Sequence, residues 1–502
     1  MNGSRIYPIT CMNIPEPLYR LFCNFGVPVT KSSPDQIYSD IIISDDSFKT
    51  PTDHLRLEGR KPLRISWESL LEDLCTPESL DPKSQKPVGC QWHENTIMLS
   101  ENIIQEITAK GVVNRLRTAI INHGLPWVQL SPYPNGYTGV FNFRMDIDEP
   151  EPDDWRSVIK ALSPIEPAVT WFLSTQATQK SSQIYDWLKG HDVQSHGHWH
   201  HVHTGDGKLN HKNLQMAHDE LLSRGFNPTG YAAPCGKITD DLSPHLRSMN
   251  YKYLAGIGDL CGSIPQKADD GIWRIHALPV SEGLYLEANI DDTDSVVNGY
   301  ITIAERALRN DRPLFWYGHA ERRLGRRPQI LESLLNHLVQ KQGLWHVTIS
   351  EYLGWLDERS EIQFEVISSG ADQTRFDLHW NQDESHKSPQ IWFESNRHRW
   401  TVQLSQGHGS STINIEPENG QPLIHKSDSP EFEFLQYSKG WKLDLKNYLD
   451  WERETPVDFL RNGPMKRRIK GFLRSWTDES WQQRFTPKEW PVAAALTGRK
   501  PV

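Results

Sequence analysis

The sequence predicts an α/β protein with a central (β/α)7–8 barrel, an N-terminal α/β domain and a C-terminal β-sandwich. A chain of 502 residues is too long to fold around a single hydrophobic core, so several domains are expected. Residues 138–357 alternate apolar runs with polar, helix-compatible stretches, which is typical of βα units around a parallel sheet. Beyond residue 360, short alternating runs recur roughly every 10–20 residues with Gly, Asn or Ser between them, as in a sandwich.

The domain boundaries are predicted from breaks in these patterns. Residues 131–136 are rich in Pro, Gly and Asn and end the first region. We therefore expect an N-terminal α/β domain over 1–130, a barrel over 138–357, a sandwich over 360–450 and a helical tail over 451–502. The role of residues 1–130 is left open.

Eight apolar runs predict the barrel strands. They are residues 139–145, 168–173, 192–195, 230–233, 251–255, 272–280, 313–317 and 344–348. Asp153 and Asp154, just ahead of Trp155, predict the start of the first barrel helix. Leucines at helical spacing predict another helix over 327–342, which Gly343 ends.

Charge and hydropathy exclude several classes of protein. With 54 Lys and Arg against 64 Asp and Glu the net charge is −10, so a nucleic-acid partner is not expected. The sequence contains no run of about 18 apolar residues, so no membrane span is predicted. The N-terminus lacks the apolar region of a secretory signal. We therefore expect a cytoplasmic location. The six cysteines are scattered without a Cys-x-x-Cys pair, so neither a zinc ribbon nor a disulfide scaffold is indicated.

A basic amphipathic helix is predicted in the tail over 464–476. Met465, Ile469 and Trp476 lie on its apolar face, with Lys and Arg around them. This helix suits peripheral contact with an anionic membrane, and it equally suits docking on its own protein. The oligomeric state is not indicated.

Histidine density is the strongest chemical signal. Seven of the 21 histidines fall within about 20 residues, and among them His196 and His200 are four residues apart, which on a helical turn places both imidazoles on one side for a shared metal ion. The others are expected in solvent, packing or supporting roles: His191, His198, His201, His203 and His211.

A carboxylate ligand is expected upstream, in residues 141–149. Strand alternation sends Arg144, Asp146 and Asp148 to one face, at the carboxyl end where α/β barrels carry their sites. Two acids on one face are costly without a cation. An alternative, an acid cluster that complements a helix dipole, is preferred for the following acids: Glu149, Glu151, Asp153 and Asp154.

Two histidines and one carboxylate leave coordination positions open for water and a substrate oxygen, as in hydrolytic metal sites; non-haem iron would also fit. A second carboxylate can serve as general base, and amide hydrolysis needs an acid for the departing amine. The candidate acid is His319, at the end of an apolar strand, with a structural histidine as the alternative.

These motifs resemble the metal-dependent polysaccharide deacetylases of carbohydrate esterase family 4, over about residues 138–357. The family's paired acids look like Asp146 and Asp148, its His-x-x-x-His motif looks like His196 to His200, and its Leu-x-His looks like residues 317–319. The resemblance implies a distorted barrel, Asp146 as base, His319 as acid, and a divalent ion on Asp148, His196 and His200. Zinc is expected first, with cobalt, nickel or iron(II) as alternatives.

One family motif departs from its pattern. The motif that usually reads Arg-x-Pro-x-Gly is Ala232-Ala-Pro-Cys-Gly236 here, so the arginine that orients the base is missing. Arg144, two residues before Asp146, is the candidate substitute. The family's Asp-Trp motif has no clear counterpart, and Trp273 and Asp291 are weak candidates. Cys235 lies next to the predicted site and is expected to be a packing residue. The alternative is that it supports a site residue or is sensitive to oxidation.

The resemblance implies an N-deacetylase acting on an acetylated amino sugar in a polysaccharide or glycan precursor. Three alternatives stay open: a glycan-binding protein on an inactive barrel, a deformylase or other amide hydrolase, and a non-haem iron oxygenase. The first is favoured by Ala232 and by aromatic residues of the sandwich that could stack on sugars, although core packing is the commoner role of such residues: Trp380, Trp392, Phe393 and Trp400.

Overall fold

The computed structural model covers most of the chain up to residue 423. It describes residues 4–33, 39–46, 62–80, 92–93, 96–97, 108–200, 207–236, 238–239, 241–256, 264–277, 282, 292–309, 311–368, 374–383, 387–395, 397–423, 435–436, 465 and 469. Apart from Met465 and Ile469, the predicted tail helix lies outside the described residues, as do His201 and His203. Among the described residues, no helix has the length and apolar character that crossing a membrane requires.

The N-terminal region contains a small parallel sheet. Its elements are β1 (Ser4–Tyr7), β2 (Ile9–Cys11), α1 (Glu16–Asn24), β3 (Val29–Lys31), β4 (Ile41–Ser44), β5 (Leu63–Ser66), α2 (Trp67–Leu71), β6 (Trp92–His93), β7 (Thr96–Ile97), α3 (Thr108–Asn122) and β8 (Trp127–Leu130). The order β3-β2-β4-β5 is parallel throughout, and every residue of β4 is buried, as expected for a sheet covered on both faces.

The central region alternates strands and helices as the sequence predicts. Its first half contains β9 (Gly139–Ile147), α4 (Pro152–Leu162), β10 (Val169–Leu173), α5 (Thr175–Gln179), α6 (Gln183–Trp187), β11 (Asp192–Ser195), α7 (Gly207–Ser223), β12 (Gly230–Ala232) and α8 (Leu242–Ser248). Its second half contains β13 (Tyr253–Gly256), β14 (Gln266–Lys267), β15 (Trp273–His276), α9 (Thr293–Arg309), β16 (Leu314–His319), α10 (Pro328–Val339), β17 (Leu344–His346) and α11 (Ile349–Glu361).

These strands form one curled sheet, a half-barrel. The order is β14-β15-β13-β12-β11-β10-β9-β16, with β17 also paired to β9, and every pairing except that of β14 is parallel. All eight predicted barrel strands are present. Among the described residues β14 and β16 do not pair, so closure into a full barrel is not seen. The two-residue β14 is too short to leave a periodic signal in the sequence.

Both predicted helices are present. α4 begins at Pro152, and its first turn carries Asp153 and Asp154, whose carboxylates suit the positive end of the helix dipole. The leucine-rich prediction over 327–342 corresponds to α10, which buries Ile330, Leu334 and other apolar residues at helical spacing.

The C-terminal region forms two antiparallel sheets that include N-terminal strands. Its elements are β18 (Gln363–Ser368), β19 (Arg375–Asn381), β20 (Gln390–Glu394), β21 (His398–Gln403), β22 (Gly409–Asn414), β23 (Gln421–Pro422) and β24 (Leu435–Gln436). One sheet has the order β1-β18-β19-β22 and the other β8-β20-β21-β23, whereas β24 pairs with β7 in a separate small sheet of order β24-β7-β6. The N-terminal strands β1 and β8 therefore complete both sheets, a pairing between distant parts of the chain that local patterns do not show.

The sandwich aromatics pack inside the protein. The side chains of Trp380, Trp392, Phe393 and Trp400 are all buried. They belong to a core that also includes Ile6 of β1, so core packing, not an exposed sugar platform, is their role in this structure.

Candidate metal centre and catalytic groups

The site lies where the carboxyl ends of β9, β11 and β16 meet. β10 separates β9 from β11, and β16 pairs with β9 so that His319 lies opposite Asp146. All nine residues of β9 are buried. A fully buried strand thus places Asp146, and Asp148 just beyond it, beside the histidines at the ends of the neighbouring strands. This is the end of a parallel sheet at which functional sites are usually built.

Asp148, His196 and His200 converge on one point. Their candidate ligand atoms all lie within 4.8 Å of one another. His196 Nε2 is 3.3 Å from Asp148 Oδ1, and His200 Nε2 is 3.4 Å from Asp148 Oδ2. Donor atoms about 2.1 Å from a tetrahedral zinc ion lie about 3.4 Å apart, so these separations are those of ligands around one ion.

The hydrogen bond on the far side of His196 sets which nitrogen faces the site. His196 Nδ1 donates to the backbone oxygen of Ala232 at 2.8 Å, which leaves Nε2 to face Asp148 Oδ1 at 3.3 Å. Burial would lower the pKa of His196, but Asp146 and Asp148 outweigh burial and raise it. A divalent cation could take the place of a proton between these atoms, and the donor set suits zinc, cobalt, nickel or iron(II).

The segment between the two histidines is a tight loop and not the helical turn that their spacing predicts. Gly197 adopts φ of +86°, and a Cβ there would lie 2.8 Å from Asn213 Nδ2. Asn213 Oδ1 accepts the N–H of Trp199 at 2.7 Å, and the Asn213 carbonyl accepts that of His198. Contacts with α7 therefore override the helical preference, while the loop still places the His196 and His200 rings 5.2 Å apart.

The remaining described histidines of this window contact other groups. The Nδ1 atom of His198 is 2.8 Å from Thr175 Oγ1, and burial lowers the pKa of His198. His191 Nε2 lies 3.0 Å from Glu166 Oε1, and the His211 ring packs on His245. None of these three belongs to the triad, within the residues described.

Arg144 holds Asp146 through two parallel hydrogen bonds. Its Nε and Nη2 atoms donate to Oδ1 and Oδ2 of Asp146 at 2.7 and 2.6 Å. Burial alone would raise the pKa of Asp146, but Arg144 and then His196 outweigh burial and lower it. The guanidinium also lies 5.2 Å from the Phe172 ring centroid and 5.6 Å from that of Tyr317. The structure thus brings together the strand residues that the sequence places on one face.

His319 faces the triad and is held from behind by a carboxylate. Its Nε2 is 3.9 Å from Asp148 Oδ2, and its Nδ1 is 2.9 Å from Glu282 Oε1. Glu282 is 1% exposed, and although burial would raise its pKa, His319 and Arg323 lower it. A carboxylate behind a histidine fixes the orientation of the ring.

Sequence reasoning missed Glu282. It stands in a segment without periodic signal, 37 residues before His319, and only the fold brings the two together. Trp273, one of the weak candidates for the missing motif, is the first residue of β15 and donates its indole N–H to Asp357. The other, Asp291, lies outside the described residues.

The acids after β9 hold the loop that follows β16. Arg322 Nη2 lies 2.8 Å from Glu149 Oε2 and 3.0 Å from Glu151 Oε1. The backbone N–H of Arg322 donates to Asp154 Oδ2 at 2.6 Å. The expectation that these acids serve only the helix dipole is therefore too narrow, because three of them contact Arg322 in the loop that follows β16 and His319.

Comparisons with known proteins found similarity only among solved structures. No protein-family model matches the chain, and no curated protein does. A protein assigned as a polysaccharide deacetylase from Mycobacterium smegmatis shares 15% identity over 45% of this chain and 92% of its own, with a TM-score of 0.40. A probable polysaccharide deacetylase from Pseudomonas aeruginosa PAO1 shares 14% identity over 45% of this chain and 94% of its own, with a TM-score of 0.41. Puue allantoinase shares 13% identity over 44% of this chain and 91% of its own, with a TM-score of 0.40. At such distances, a functional proposal depends on the side chains of the site itself.

Proposed function

We propose that this protein is a metal-dependent hydrolase that removes the acetyl group from an N-acetylated amino sugar of a polysaccharide or glycan precursor. The observation that carries the proposal is the convergence of three groups at one end of the half-barrel. These are the Asp148, His196 and His200 triad, the Asp146 carboxylate on Arg144, and the His319 imidazole on Glu282. A ligand set, a base and an acid are what hydrolysis of an amide requires.

Asp148, His196 and His200 would hold the divalent ion, with zinc proposed first. When bound, the ion supplies Lewis acidity to the amide carbonyl and lowers the pKa of a water molecule. His196 is oriented for this role because its Nδ1–H donates a hydrogen bond to the Ala232 carbonyl, which leaves Nε2 to face the ion. Asp148 offers one oxygen toward each histidine.

Asp146 is the proposed general base. Its lowered pKa keeps it a carboxylate at neutral pH, so it can accept the proton of the attacking water. Arg144 is the proposed positioning residue for this base, since two parallel hydrogen bonds fix the plane of the carboxylate. Arg144 would therefore orient the base in place of the arginine that usually occupies the position of Ala232.

His319 is the proposed general acid. As the bond between the carbonyl carbon and nitrogen breaks, the amine must gain a proton, and His319 Nε2 faces the same space as Asp148. Glu282 positions the ring from its other side, 2.9 Å from Nδ1. Water adds to the acyl carbon, and the products are acetate and a free amine.

The test pairs metal content with acetate release. Protein purified without added metal should contain about one equivalent of a divalent ion and release acetate from acetylated chito-oligosaccharides. The double variant His196→Ala/His200→Ala should lose both. His211→Ala, an exposed histidine from the same window, is the matched control and should keep both.

Other results would redirect or refute the proposal. Metal without acetate release would favour another amide substrate or a glycan-binding role on the same site. Absence of metal in folded wild-type protein would refute the metal centre itself.

A further inference from the structure

Glu321 is a buried carboxyl group beside the triad to which the proposed chemistry gives no role. It follows His319 by two residues, at the start of the loop after β16, and is 6% exposed. Its Oε1 atom accepts two hydrogen bonds, from the backbone N–H of Asp148 at 3.0 Å and from the indole N–H of Trp155 at 2.8 Å. Both bonds join the loop after β16 to parts of the chain more than 160 residues away.

The hydrogen bond from the Asp148 N–H to Glu321 lies just beyond the end of β9, where strand pairing no longer fixes the backbone. β9 ends at Ile147, so Asp148 is the first residue beyond the strand, and its N–H donates to Glu321 and not to a neighbouring strand. The direction of this N–H, together with the side chain of Asp148, would otherwise depend on an irregular loop. Fixing the backbone at Asp148 thereby fixes where its carboxylate points.

The bond to Trp155 anchors Glu321 itself. Trp155 is fully buried in the core beneath the sheet, where it belongs to α4. Its indole donates to the same oxygen that receives the Asp148 N–H, so a rigid helix in the core determines where that oxygen lies. Glu321 therefore links the core, the candidate metal ligand and the strand that carries His319.

We propose that Glu321 is a positioning residue that sets the direction of the Asp148 carboxylate through the Asp148 backbone, and so holds this ligand in register with His319. The inference rests on the metal centre under Proposed function. It concerns the oxygen of Glu321 as an acceptor and does not require Glu321 to touch the ion or the substrate.

The experiment measures cobalt binding to the full-length protein stripped of metal. Co²⁺ titration yields an affinity, and its visible absorption bands report the arrangement of the ligands. Glu321→Ala removes the acceptor and should weaken Co²⁺ binding by about 10- to 100-fold, the usual cost of losing a group that orients a ligand, with altered bands. Glu321→Gln keeps a side-chain oxygen for both donors and should bind Co²⁺ much as wild type does.

Val158→Ala, in the same helix as Trp155, is the matched control for general damage to the core. It removes buried packing but no hydrogen-bond donor to Glu321. Its melting temperature should fall while its cobalt bands stay those of wild type. Thermal melts of each metal-free variant show which of them are folded.

The outcomes separate the two proposals. If folded Glu321→Ala binds Co²⁺ like wild type, Glu321 does not position Asp148. If Glu321→Gln fails as badly as the alanine variant, charge and not the acceptor oxygen matters, and the proposal is overturned. If Val158→Ala loses as much affinity as Glu321→Ala, the effect is general loss of packing and the positioning role is overturned. If wild-type protein binds no Co²⁺, the metal centre fails and the positioning role with it.

Discussion

Two polar clusters in this molecule are built from the same residue types and differ in how well they are paired. At the junction of half-barrel and sandwich, Arg399 donates to Asp311 through two bonds and to Glu394, and Glu394 also pairs with Arg117. Two carboxylates thus meet two guanidinium groups. At the carboxyl ends of the strands, Asp146 pairs with Arg144 and Glu282 with Arg323. Two further carboxyl groups contact other side chains: Asp148 faces His196 and His200, and Glu321 accepts from Trp155.

The difference separates a structural cluster from a functional one. The junction satisfies its own charges and so stabilises contact between regions distant in the sequence. In the strand-end cluster Asp148 instead faces His196 and His200 at 3.3 and 3.4 Å, separations that suit ligands around one ion. We propose that a divalent cation completes this cluster, whereas the junction needs none.

The largest expected effect is on turnover and involves the base. Asp146→Asn should lower kcat about 10²- to 10⁴-fold while metal content stays at the wild-type level, because the amide cannot accept a proton. The measurement is acetate release together with elemental analysis. Asp192→Asn changes another aspartate of the half-barrel, half-buried at the start of β11, and should keep kcat. Equal losses in both variants would mean that Asp146 is structural.

The next effect tests the paired cluster. Arg399→Ala leaves Asp311 and Glu394 without their shared partner and should lower the free energy of unfolding by about 3 kcal/mol. Arg5→Ala, which breaks the exposed pair with Glu365 on the sandwich, should cost less than about 1 kcal/mol. Chemical denaturation measures both. Cobalt affinity should not change in either variant, and a change in Arg399→Ala would mean that the two clusters are coupled.

A smaller effect concerns how Arg144 holds the base. Arg144→Lys keeps the charge but cannot make two parallel bonds, so kcat should fall roughly 10- to 100-fold, the cost of about 1.5–3 kcal/mol for a charged hydrogen bond. Metal content should stay unchanged, and KM should change less than kcat. Wild-type turnover in the lysine variant would show that charge alone suffices.

The smallest effect sharpens the role of the loop between the two histidines. Gly197→Ala and Gly190→Ala both force alanine into positive φ and should each lose about 1–2 kcal/mol of stability. Only Gly197 has Asn213 against its missing side chain, whereas Gly190 has open space. Gly197→Ala alone should therefore also weaken Co²⁺ binding. Equal cobalt affinities in the two variants would contradict the idea that this loop places the ligands.

Local patterns predicted the parts of the fold and site that depend on near neighbours in the chain. Strand alternation brought Arg144 and Asp146 to one face, and the structure joins them by two hydrogen bonds. The spacing of His196 and His200 predicted their proximity but not the loop that produces it, because Asn213 on a later helix determines that conformation. The eight barrel strands were visible because buried parallel strands are nearly continuous apolar runs.

The sequence by itself determined where the half-barrel strands lie along the chain, and it identified the histidines and the paired acids of the candidate site: Asp146, Asp148, His196, His200 and His319. Only the tertiary structure decided that β1 and β8 complete the sandwich, that Glu282 supports His319, and that Glu321 accepts the N–H of Asp148. The physical reason is that periodicity reports which face of an element is buried. It does not report which distant polar group meets that face, because such a partner is selected only when the whole chain packs.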